Sequence, residues 1–200
     1  MSAQRPNADR KKHPSIWLDR PARYGLVSRF FHWSIAYLLI WQMVTLLGWR
    51  LIGDGPFMRS VSELGPYHGT VGISVLTLGL ARLLWAIANR RRRPPHERTV
   101  SGRIARIAHE LFYALMIAIP GMSLLRAYGK GLGYEQWGIQ LVPETDTEIA
   151  WMMAPADALH GLLAWTFGVL IAGHVGMALW HWIVRRDAVL QRMSGSLQPA

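Results

Sequence analysis

ALHGLLAWTFGVLIAGHVGMALWHWIV, residues 158–184, decides the fold. The stretch holds no Lys, Arg, Asp or Glu, and it is longer than the roughly 20 residues a helix needs to cross about 30 Å of hydrocarbon. A helix lying on a soluble core would carry a polar face, and none is present. Working outward along the chain, three more stretches read the same way, at about 30–49 (FFHWSIAYLLIWQMVTLLGW), 66–88 and 104–125. The expected fold is therefore all-α: an integral membrane four-helix bundle. Residues 26–186 form its transmembrane domain, 1–25 a basic tail and 187–200 a second tail.

Composition agrees. Of 200 residues, 51% are hydrophobic and only 17% charged, against about 25% in soluble domains, yet the net charge is +10. An excess of this sign fits either a polyanion partner or a membrane protein with its charges outside the bilayer. Position decides between them. Seventeen of the 22 Lys and Arg fall in the two tails and the connection at 90–106. Four (Arg50, Arg59, Arg126 and Lys130) fall in the other connections, and Arg82 lies inside the second span. By the positive-inside rule both termini should be cytoplasmic, in a multi-pass membrane protein. The run RRRRPP at 90–95 reads as a topology signal against anionic headgroups, and no nucleic-acid partner is expected. Residues 1–25 lack an apolar h-region, so a cleaved signal peptide is not expected. The connection at about 126–156 contains YGKGLGY, which lacks the Lys-Ser/Thr ending of a phosphate loop and reads as an external loop with room for a short surface helix.

There is no cysteine. That excludes disulfides, Fe–S clusters, Cys-ligated zinc and thioether-bound haem, and leaves eight histidines as the main candidates for metal chemistry. Ionisable residues within spans are costly and mark function. His32 opens the first span, His68 opens the second, and His160 and His174 share the fourth. The last two are 14 residues apart, four turns less about 40°, so they occupy one face about 21 Å apart along the axis. Spans two and four run in the same direction, which puts His68 level with His160 at the outer side. Span one runs oppositely, which puts His32 in the inner half with His174. Two cross-helix pairs at two depths is the arrangement two bis-histidine haems require.

Arg82 also follows His68 by 14 residues and needs an anion at the inner level; a haem propionate would serve. Arg29, three residues before His32, is a second candidate propionate partner. On depth alone His181 competes with His174 for His32, but it would lie about 31 Å from His160, nearly the whole hydrocarbon core. His109 reads as interfacial, with a quinone-site or proton-relay role as the minor alternative. His13 and His96 read as solvated tail residues.

Around these residues the sequence resembles the bacterial di-haem cytochrome b561 family. The resemblance rests on ARYGLVSRFFHW (22–33), YHGTVGISVLTLGLARLLW (67–85), AHELFYALMIAIPGMSL (108–124) and LHGLLAWTFGVLIAGHVGMALWHWIVRRDAVLQRM (159–193), and covers about 22–193. It implies two non-covalent b-type haems, with His32 paired to His174 and His68 to His160, which sets His181 aside. It implies single-electron transfer between a donor and the quinone pool, and some relatives are similar to superoxide:ubiquinone oxidoreductases. With both axial positions filled, iron has no open site for O₂, so outer-sphere transfer is the expected chemistry. Arg126 and Lys130 are the cations expected to attract an anionic donor such as superoxide. Two other readings stand beside this oxidoreductase: a haem-bearing anchor for a separate dehydrogenase or hydrogenase, and a haem-free transporter or structural four-helix protein.

Overall fold

The computed structural model describes residues 15–95 and 98–196. His13 and His96 lie outside the described residues. Four helices are long and apolar enough to cross a membrane, and the chain is mostly helical. The first, α1 (Leu26–Ile52), leads into a short surface helix, α2 (Pro56–Glu63), and then into α3 (His68–Ala88). The next, α4 (Val100–Gly129), ends in a two-stranded hairpin of β1 (Leu132–Gln136) and β2 (Ile139–Glu144). After it comes α5 (Ala150–Trp180), which widens into a π-helical turn at His181–Arg185 before a last short helix, α6 (Val189–Ser194).

Three of the spans are longer than hydropathy alone marks them, while α3 starts two residues after the expected 66. The fourth begins eight residues ahead of the expected 158, because Trp151, Met152, Met153 and Pro155 continue the helix past the apolar run, with Pro155 in its second turn. At α4 the start is set by Thr99, whose side chain accepts from the Gly102 N–H. Two connections correct the all-α expectation in detail. The surface helix expected in 126–156 is absent, and a hairpin stands there instead. The unforeseen surface helix is α2, which buries Met58 against Gly48 of α1.

At the hairpin tip, Trp137 and Gly138 both have positive φ (54° and 75°), joining Gln136 directly to Ile139. This two-residue turn matches the right-handed twist of its strands. A bulge between Tyr134 and Glu135 re-aims β1, so that Tyr134 turns down onto Gly69 of α3.

Close helix packing runs α1 on α3, α3 on α4, and α4 on α5, while α5 makes no comparable backbone contact with α1 or α3. Ile35, Val71, Val75, Leu115, Met116 and Phe167 form the core, drawn from all four long helices. The outward faces are apolar and uncovered. In each span only 6–22% of the most apolar window is buried within the protein, so the rest demands lipid.

The end of the bundle holding both described termini is tied by polar contacts. Asp19, 2% exposed, accepts from the Gly25 N–H (2.9 Å), the Ser28 hydroxyl (2.8 Å) and Arg93 Nε (3.1 Å). Ser28 in turn accepts from Trp85 Nε1. A carboxylate this buried needs such partners. They fasten the segment before α1 to α3 and to the arginine run after it.

Candidate functional site

The gap beside α5 is where the histidines meet. At the hairpin end, His68 of α3 faces His160 of α5 with ring centroids 5.9 Å apart. At the tail end, His32 of α1 faces His174 of α5 with centroids 6.3 Å apart. Both juxtapositions follow from the 14-residue spacing on one helix and from the alternating direction of the spans. An imidazole–metal bond of about 2 Å, with about 1 Å more from nitrogen to ring centre, asks for centroids about 6 Å apart when one metal takes two imidazoles. The two pairs fit that demand.

Around the hairpin-end pair lies an apolar cleft with about 870 Å³ of empty space, including its open mouth. Leu39, Val71, Leu115 and Phe167 line it, and Tyr134 of the hairpin roofs it. The roof is close-fitting: a Cβ on Gly69 would come within 2.9 Å of the Tyr134 hydroxyl. That hydroxyl donates to Gln136 Oε1 (2.8 Å), and Gln136 Nε2 donates to Thr70 Oγ1 (3.2 Å), so the hairpin is bonded to α3 where α3 begins. Burial raises the Tyr134 phenol above its ordinary pKa.

Two residues at this end carried no functional reading from sequence. Gln42 of α1, 8% exposed, sets its side-chain amide against His68 Nδ1. Ser123 of α4 sets its hydroxyl 3.1 Å from His160 Nδ1. A lone amide in the middle of an apolar span was the available signal for Gln42. Ser123 offered less, since serine is common where membrane helices pack.

At the tail end His174 has two further ring neighbours from α4: Phe112 at 5.4 Å and His109 at 5.6 Å between centroids. His109, read from sequence as interfacial, lies half-buried against His174 of the pair, nine residues into α4. Arg82 is close enough to His32 and His174 to act on both electrostatically. Its guanidinium stands over the Tyr113 ring (5.8 Å), and its Nε is buried with no hydrogen-bond partner among the described residues. A permanently charged group with an orphaned donor beside two facing histidines suits a ligand that is both metal-bearing and anionic, as haem is.

Three other expectations meet different surroundings. Arg29 does not point toward the histidines: it donates to the carbonyls of Tyr24 (2.9 Å), Arg192 (3.2 Å) and Gly195, tying the start of α1 to α6. Arg126 pairs with Asp157 at 2.5 Å, which neutralises it, while Lys130 stays exposed at the end of α4. The hairpin-end connections and helix ends hold seven carboxylates (Asp54, Glu63, Glu135, Glu144, Asp146, Glu148, Asp157) against four cations, so their field does not favour an anion. His181, the rival for His32, instead sets Nδ1 2.6 Å from Asp187 Oδ2, and that contact holds the Asp187 carboxyl below its ordinary pKa.

Known proteins agree with this architecture. The model of the family described as prokaryotic cytochrome b561 matches residues 23–196. Cytochrome b561 homolog 2 of Escherichia coli (strain K12) is 33% identical over 180 residues, covering 88% of this chain and 93% of that protein. The probable superoxide oxidase CybB of Yersinia pestis is 28% identical over 176 residues, covering 86% of this chain and 95% of its own. Cytochrome b561 homolog 1 of Escherichia coli (strain K12) is 25% identical over 178 residues. With the match running from just before α1 through α6, the chain belongs to the prokaryotic cytochrome b561 family, membrane electron-transfer proteins carrying b-type haem.

Proposed function

We propose that this chain is a di-haem membrane oxidoreductase, with His32 and His174 holding one b-type haem and His68 and His160 the other. The observation that carries the reading is the pair of facing imidazoles at each of two depths, 6.3 Å and 5.9 Å apart, all four on spans. When bound, the two haems supply one-electron carriers on either side of the bilayer midplane. The chain's own residues do the rest. Leu39, Val71, Leu115 and Phe167 keep water from the hairpin-end cleft, and Tyr134 covers its mouth. Arg82 supplies the cation for a propionate at the tail end.

The donor side is the hairpin end and the acceptor the quinone pool, with both termini cytoplasmic as the Lys and Arg distribution favours. The relative described as a probable superoxide oxidase makes superoxide the leading donor. Two superoxide anions each lose one electron and leave as O₂, and one quinone gains both electrons and two protons to become quinol. Because Arg126 is paired and the hairpin end is rich in carboxylates, superoxide is not drawn in by field and reaches the cleft by diffusion.

The test is the spectrum and redox behaviour of the purified protein. Two b-type haems per chain are expected, and His68→Ala and His160→Ala should each delete the same one. Reduction by superoxide and reoxidation by a short-chain quinone should follow with no added subunit. No haem α-band, or loss of different haems in the two variants, sinks the reading. Turnover only with a soluble dehydrogenase would make the chain that enzyme's anchor instead.

A further inference from the structure

The two histidine pairs differ in what holds the far side of each ring. Ser123 has one hydroxyl proton, and it goes to the Ile119 carbonyl 3.3 Å away on the same helix. With that proton so placed, the Ser123 oxygen can accept from His160 Nδ1, 3.1 Å away. In that arrangement the His160 proton sits on Nδ1, and Nε2 keeps the lone pair a metal ligand needs. Gln42 offers His68 the same service. Its amide lies against Nδ1, and a half-turn that exchanges Oε1 for Nε2 presents the accepting end without changing the outline of the side chain.

The tail-end pair is built otherwise. Among the described residues no hydrogen bond reaches His32 or His174; their neighbours are the rings of Trp33, Phe112 and His109, with the Arg82 charge nearby. An acceptor on the outer nitrogen makes an imidazole a stronger donor and favours the more positive, oxidised metal. A nearby cation such as Arg82 favours the less positive, reduced one.

We propose that Gln42 and Ser123 are positioning residues for the haem of His68 and His160. By accepting the two Nδ1 protons they lock the ligating tautomers and set that site's reduction potential below that of the His32–His174 site. The inference rests on the di-haem reading above. It gives the molecule a direction, because the order of potentials favours net transfer from the hairpin end to the tail end.

Redox titration of the haem-loaded protein tests this directly. The transition missing in His68→Ala identifies the hairpin-end haem. In both Gln42→Leu and Ser123→Ala that transition should move to higher potential, with the other in place and haem content retained. Gln42→Glu, a stronger acceptor, should move it lower, a reversal of sign that a merely structural role would not produce. If Gln42→Leu fails to hold haem, Ser123→Ala, which loses one hydroxyl, carries the test alone. An unmoved midpoint in haem-loaded Ser123→Ala, or equal movement of both transitions, overturns the proposal. The di-haem reading fails separately, if His68→Ala and His160→Ala do not delete the same haem.

Discussion

Arg82 is buried with its Nε unpartnered among the described residues. Charge-assisted hydrogen bonds are worth about 1.5–3 kcal/mol, so an anion bound there should gain roughly 10–100-fold in affinity. Arg82→Leu should speed haem loss from the His32–His174 site by about that factor and leave the other site alone, as read by transfer to a haem-scavenging apoprotein. Equal loss at both sites would refute the assignment. The position of Arg82 was legible in sequence because it depends only on helical periodicity: 14 residues after His68 restores the same face. Arg29 was misread for the opposite reason. Two of its three partners lie 163 and 166 residues away in sequence, and no local pattern announces a fold that brings α6 beneath α1. Gln42 and Ser123 fell between these cases, visible as polar residues in apolar spans but without the partner that gives them meaning.

Among the elements, the four spans were readable because lipid imposes length and composition on any helix that crosses it. Their ends were less so, since Thr99 and the turns after Ile149 act through capping and helix extension rather than hydropathy. The hairpin was hidden. LGYEQ and IQLVPE show no clean apolar–polar alternation, and the turn places a tryptophan, not Asn or Asp, at its first positive-φ position. Gly138, at φ +75° with nothing within 4 Å of a built Cβ, isolates backbone strain from crowding. Gly138→Ala should cost the hairpin about 1–2 kcal/mol. Amide exchange across Leu132–Glu144 should quicken about tenfold while the α3 and α5 amides keep their rates. Unchanged exchange in the strands would mean that Tyr134, Gln136 and Thr70, not the turn, hold the hairpin down.

At the scale of the whole molecule, seventeen of the 22 Lys and Arg fall in the tails and the 90–106 connection, and the proposed orientation rests on that distribution. The chain has no cysteine, so single-cysteine labelling has no background. Thr147→Cys, exposed beyond the hairpin, should react with an impermeant maleimide on intact cells stripped of their outer membrane. Ser101→Cys, exposed at the other end, should react only after the inner membrane is opened. The reverse pattern would invert the proposed orientation and exchange the donor and acceptor faces.

The close backbone packing of α5 on α4, with none comparable on α1 or α3, also bears on how the protein is made. Each proposed haem takes one ligand from α5 and the other from a helix synthesised earlier, so a nascent chain that ends before residue 150 holds half of both sites and the whole of neither. The early spans can pack through α1 on α3 and α3 on α4 while the ribosome is still working. Cofactor capture therefore belongs to the closing act of biogenesis, when α5 docks on α4, and a translation arrest within α4 should leave a membrane-inserted but colourless product.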